Sequence, residues 1–88
     1  MSNIYYGKVD TNGKYEDLSE VIGLTIMEDT LYLLQPQGVI ALYIGTSKPD
    51  EGGFIIYDNS ITRFKLESGE RIYVKTFNSN GTYLNVSS

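Results

Sequence analysis

Phe64 to Val86, FKLESGERIYVKTFNSNGTYLNV, decides the fold. The stretch reads as three short strands separated by two turns. Ile72, Val74 and Thr76 alternate with Tyr73, Lys75 and Phe77, and Leu84 and Val86 alternate with Tyr83 and Asn85. Such alternation sets one face of a strand against a core and the other toward solvent. Directly opposed residues of an antiparallel pair share a face. In a hairpin, Val74 then faces Val86, Thr76 faces Leu84 and Phe77 faces Tyr83. This leaves Ser79-Asn80-Gly81 as a three-residue loop, a type I turn closed by a glycine at positive φ. A two-residue Asn-Gly turn puts Lys75 on the face of Val86. A one-residue slip inverts every side chain, so that register is rejected.

The opposite face carries Arg63, Lys65, Arg71, Tyr73, Lys75, Phe77 and Tyr83. It is basic at one end and aromatic at the other. One reading is a solvated face with cationic stems lying over tyrosines. The other is a contact surface, because Tyr and Arg are enriched in interface cores. These seven residues are the candidate interface.

Eighty-eight residues make one small domain, so a thin sandwich or partial barrel is the realistic core. There is no cysteine, hence no disulfide and no thiolate. There is no histidine, which removes the usual general base and the commonest transition-metal ligand. A net charge of −4 argues against non-specific nucleic-acid binding. No apolar run approaches the roughly 20 residues of a membrane span. The opening MSNIYYGKVDTNGK lacks the apolar core of a signal peptide.

Residues 1–29 are the least strand-like, and residues 1–23 are expected to form an ordered N-terminal arm or lead-in, packed on the domain or on a neighbour, ahead of a β domain over 24–88. Within them Ile4-Tyr5-Tyr6 suits a short strand, Asp10-Thr11-Asn12-Gly13 a turn, and residues 15–21 one helical turn. Leu24, Ile26 and Met27 begin the apolar rhythm, and residues 30–34 read as a strand. Gln35-Pro36-Gln37-Gly38 is expected to break it, since proline avoids central strands. The run VIALYI, residues 39–44, is expected to be the most buried strand, covered on both faces. Residues 48–53 form a loop, 54–57 and 61–66 are strands, and Asp58-Asn59-Ser60 turns between them. Regular strands separated by turns predict an all-β antiparallel sandwich or barrel of six to eight strands. Its expected core is Ile40, Leu42, Ile44, Phe64, Leu66, Ile72, Val74, Leu84 and Val86.

Charge is unevenly spread. Residues 1–29 hold six acids against Lys8 and Lys14, a balance of −4, whereas residues 59–88 hold Arg63, Lys65, Arg71 and Lys75 against Glu67 and Glu70, a balance of +2. An acidic front and a basic back suit a contact within a chain or between chains. Asp10, Asn12 and Asp17 faintly outline a calcium loop, but the glycine falls at position 4 rather than 6. Glu16, Asp17 and Glu20 lack a pocket-forming pattern. The acids beside Gly52-Gly53 would repel a phosphate. No catalytic, metal or cofactor site is therefore expected, and the chain is not expected to be an enzyme. Tyr43, Tyr57, Tyr73 and Tyr83 suit stacking on sugar rings or plain packing equally well.

From Leu24 to Val86 the chain resembles the small β-domains of tailed-bacteriophage virion proteins, the head-fibre, decoration and adaptor class. Tyr43-Ile44, Pro49-Asp50, Gly52-Gly53-Phe54, Gly69, Tyr73-Val74-Lys75, Gly81 and Leu84-Asn85-Val86 carry the resemblance by their order and spacing. It departs from that pattern at Asp58-Asn59-Ser60, where Pro-Gly is usual. The resemblance implies a structural protein of the phage particle, assembled in the host cytoplasm, often homotrimeric and contacting capsid or fibre subunits. With the split charge, it leads to an expected cyclic trimer in which residues 1–23 of one copy lie on the basic surface of the next or reach a separate virion partner. A carbohydrate-binding attachment module is the alternative, and an enzyme inhibitor presenting residues 48–53 a third reading.

Overall fold

The computed structural model describes residues 2–88. Eight strands and one short helix follow in the order β1 (Asn3–Val9), β2 (Glu16–Asp17), α1 (Leu18–Ile22), β3 (Leu31–Gln37), β4 (Ile40–Gly45), β5 (Phe54–Ile56), β6 (Thr62–Lys65), β7 (Arg71–Thr76) and β8 (Thr82–Ser87). They form two four-stranded sheets, β1-β8-β3-β6 and β2-β7-β4-β5. Every strand pairing is antiparallel. The fold is the small all-β sandwich that the alternation predicts.

The inner faces meet in one apolar core. Phe64, Leu66, Ile72, Val74, Leu84, Val86, Ile40 and Leu42 are buried there as expected. Val9, Leu18, Ile22, Ile26, Tyr32 and Leu34 join them. Tyr32 stacks on Phe64 with centroids 5.3 Å apart, and its hydroxyl accepts the Met27 N–H at 2.8 Å. The buried hydroxyls of Thr11 and Thr76 each accept the other residue's backbone N–H, at 2.9 and 3.0 Å. Neither polar group is therefore left unpaired, which would cost about 1–3 kcal/mol.

Residues 1–23 are not an arm. Strand β1 lies along β8, with Tyr6 opposite Asn85 and Lys8 opposite Tyr83. Ser2 and Ser88 exchange both backbone hydrogen bonds, at 2.7 and 3.0 Å. Strand β2 borders β7, and α1 closes one end of the core with Leu18 and Ile22. The Asp17 carboxylate caps α1 by accepting the Ser19 N–H at 2.9 Å, and Gly23 ends it in the left-handed region. The boundary expected at residue 24 therefore divides no structural unit.

The expected β7–β8 hairpin is absent as a pairing. β7 lies between β2 and β4, and β8 lies between β1 and β3 in the other sheet. The turn chemistry holds: Gly81 N–H donates to Asn78 O at 2.9 Å, and Gly81 has φ 83°. A Cβ there would sit 2.7 Å from the Val9 carbonyl oxygen, so the position also requires the absence of a side chain. The turn forms an arch between sheets. Val74 and Val86 share the core because facing sheets bury their inner residues together, not because the strands are neighbours.

Three further expectations are corrected. β7, with Ile72, Tyr73, Val74 and Thr76 all buried, is more buried than β4. Ile44, near the C-terminal end of β4, is 38% exposed and leaves the core. Pro36 lies inside β3 and is fully buried there. Its carbonyl accepts the Asn59 N–H at 2.9 Å, so the proline nitrogen faces the same side. Pairing with β6 ends at Leu34–Thr62, so the missing N–H deprives no ladder.

Candidate functional site

The seven candidate interface residues do not share a face. Arg63, Lys65 and Tyr83 lie on β6 and β8, whereas Arg71, Tyr73 and Lys75 lie on β7 of the other sheet. Outward positions of two packed sheets point in opposite directions. Phe77 follows β7 at the start of the arch. The alternation correctly separated outer from inner positions, but it did not reveal that two outer faces exist.

Most of these groups have partners within the chain. The Arg71 guanidinium donates to the Asp17 carboxylate, and that hydrogen bond raises its pKa. Lys65 Nζ lies 3.3 Å from Asp29 Oδ1. Lys48 Nζ donates to Glu16 Oε1 at 2.7 Å, which raises the ammonium pKa. The acidic front and basic back therefore meet within one molecule.

Tyr73 is only 5% exposed although it points outward. It forms a second apolar cluster with Tyr15, Ala41 and the half-buried Tyr43. Tyr15, arriving from the β1–β2 connection, lies over the outside of the second sheet and donates its hydroxyl to the Gly52 carbonyl. Lys75 Nζ stands 4.8 Å from the Tyr15 ring centroid. Gly53 passes beneath this ring at φ 90°, and a Cβ would collide with both the Tyr15 hydroxyl and the Leu42 carbonyl. The 48–53 loop is thus pinned to the sandwich by Tyr15 and by the Lys48–Glu16 pair.

The faint calcium pattern does not converge. Asp10 Oδ1 accepts the Asn12 N–H at 2.9 Å in a local turn, while Asp17 serves α1 and Arg71 elsewhere. Among the described residues, no three His, Cys, Asp or Glu side chains group as metal ligands. Also among them, no helix is long and apolar enough to cross a membrane.

The surface that stands out is the free edge of β5. Phe54 is 75% exposed, Ile55 49% and Tyr57 67%. β5 pairs only with β4, with Ala41 opposite Ile55 and Leu42 opposite Phe54. Beside it a groove of about 460 Å³ opens toward β6, lined mainly by apolar residues such as Leu42, Ile44, Phe54 and Phe64, with Thr62 and Arg63 on its β6 side. The other three sheet edges among the described residues carry charge: Lys8 on β1, Glu16 and Asp17 on β2, Arg63 and Lys65 on β6. Charged side chains keep foreign strands off an edge. Phe54-Ile55-Ile56 has none and is followed by Tyr57. The sequence reading identified residues 54–57 as a strand but carried no signal of its place at an edge.

The outer face of the first sheet has a different character. Tyr6 and Tyr83 stack with centroids 5.6 Å apart and planes 18° apart, and the Tyr6 hydroxyl donates to Gln37 Oε1 at 3.3 Å. Nearby, Asn85 Oδ1 is buried without a hydrogen-bond partner. It borders a shallow depression lined by Leu33, Gln35, Ile61 and Ser87.

No family model, curated protein or solved structure matches this chain.

Proposed function

We propose that the chain is a non-catalytic structural module of a bacteriophage particle, in the head-fibre, decoration or adaptor role, that acts through protein–protein contact. The observation that carries this reading is the uncharged apolar edge at Phe54, Ile55 and Tyr57. Large exposed apolar patches mark interaction sites, and an open edge strand adds unpaired backbone donors and acceptors. The resemblance of residues 24–86 to virion β-domains supplies the setting. Mass spectrometry of purified particles is expected to find the chain at a fixed copy number relative to the major capsid protein. Absence from the particles would overturn the reading.

A second reading, attachment to a surface glycan, is favoured by the first sheet's outer face. The exposed Tyr6–Tyr83 pair offers an aromatic surface for a sugar ring, and Gln35 and Asn85 offer amide groups for its hydroxyls. Glycan-array binding that is lost in Tyr83→Ala would support it. An array with no binding would remove it.

A further inference from the structure

We infer that β5 is completed by the β5 strand of a second copy, giving a two-fold dimer whose second sheets run together as one eight-stranded sheet. The inference rests on the reading above and names the partner of the same edge. It begins with the pairing register. Inner and outer faces must continue across the joint, because opposed residues of an antiparallel pair share a face. The two-fold axis therefore passes through a residue, not between two. Only Ile55 as that residue keeps the whole of Phe54–Ile56 in the ladder. Ile55 then faces its own copy, and Phe54 faces Ile56 of the second copy.

Charge and area both suit this occupant. No charged residue lies between Glu51 and Asp58, so nothing at the centre of the joint is repelled by its copy. A partner strand selected by charge would find no cation within β5 to recognise. At roughly 150–250 Å² per aromatic side chain, the exposures of Phe54, Ile55, Tyr57 and Ile44 amount to on the order of 450 Å² per copy. The joint totals on the order of 900 Å², near the roughly 1,000 Å² at which a specific but weak interface begins. The free chain should therefore dimerise reversibly in the micromolar range. Display of many copies on a particle would raise their effective concentration and consolidate the pairing.

Salt separates this joint from a charge-driven ring. Each copy carries a net −4, and Glu51 of one strand approaches Asp58 of the other at the ends of the ladder. Screening weakens that repulsion, so added salt should tighten the dimer. An acidic front laid on a basic back would loosen instead.

The chain has no cysteine, so single-cysteine variants report directly on the joint. Residues facing each other across an antiparallel ladder have Cα atoms about 4.5–5.5 Å apart, within the span of a disulfide. Under mild oxidation Ile55→Cys is expected to form a covalent dimer, whereas Lys8→Cys, exposed on the edge strand β1 of the other sheet, remains monomeric. Light scattering after size exclusion should show wild type moving from 9.9 kDa toward twice that mass as concentration rises. Phe54→Lys, with wild-type circular dichroism, should remain monomeric, and added to Ile55→Cys it should suppress the cross-link. A wild-type monomer throughout, a dimer indifferent to Phe54→Lys, or cross-linking no greater than that of Lys8→Cys would each overturn the inference. A monomer found at fixed copy number in particles overturns self-pairing and leaves the particle reading standing. A dimer absent from particles does the reverse.

Discussion

Val74→Asp is expected to leave no folded protein at room temperature. Val74 is fully buried at the centre of β7, with Leu42 opposite on one side and Glu16 on the other. Its side chain enters the inter-sheet core, where no cation is available to pair with a carboxylate. An unpaired charge buried there, or the proton uptake that avoids it, costs several kcal/mol. A domain of this length has about 4–13 kcal/mol in total, at roughly 0.05–0.15 kcal/mol per residue. Far-ultraviolet circular dichroism through a thermal scan measures the outcome. Tyr83→Asp, on the half-exposed outer face of the first sheet, should melt within a few degrees of wild type. A Val74→Asp protein that melts like wild type would invert the assignment of faces.

Tyr15→Ala is expected to be the most damaging truncation outside the central core. Tyr15 belongs to the segment expected as an N-terminal arm or lead-in, and it is almost wholly buried against Ala41, Tyr43 and Tyr73. Removing a buried aromatic ring costs about 3–5 kcal/mol. Here it would also uncover Tyr73 and release the 48–53 loop from its Gly52 anchor. Tyr15→Phe keeps the packing and loses only the hydroxyl's hydrogen bond, so its cost should be about 1 kcal/mol. Urea denaturation distinguishes the two. A Tyr15→Ala midpoint equal to wild type would show that the segment does not pack as described.

The same residue gives a pH signature. Burial raises the Tyr15 phenol above its usual pKa of about 10. Above that pH the unfolded chain releases the proton and the folded chain retains it, so stability falls as pH rises. The contribution is complete below the unfolded pKa and is lost as pH climbs through the folded value. The stability difference between wild type and Tyr15→Phe should therefore narrow above pH 10. A difference constant to pH 11 would place the phenol in solvent.

Alternation along residues 64–86 was enough to identify which side chains face the core, because burial on one face is a local property of a strand. Neighbours were not legible. An inner residue of β7 meets inner residues of β8 whether the strands are hydrogen-bonded or packed from opposite sheets, so the parity argument fits a hairpin and an arch alike. Residues 1–23 were underestimated because Gly7 and Lys8 break the apolar pattern of β1 in the sequence and β2 has only two residues. Their place depends on β8 and β7, distant in sequence. Tyr73 was assigned to solvent by a sound local rule and is covered by Tyr15 from that same distant segment. Phe54-Ile55-Ile56 forms the strand expected, but its place in the sheet was not legible. Its composition suits a buried strand, but its position at the end of the sheet order leaves it uncovered.

The working surface can be tested where it is proposed to act. Particles assembled with wild-type chain and with Phe54→Lys chain, each expressed at equal level and each folded by circular dichroism, would be purified and their copy numbers measured by quantitative mass spectrometry. A fixed number of wild-type copies per particle is expected, with a loss of at least tenfold for Phe54→Lys. Wild-type chain absent from particles, or Phe54→Lys incorporated at the wild-type number, would contradict it.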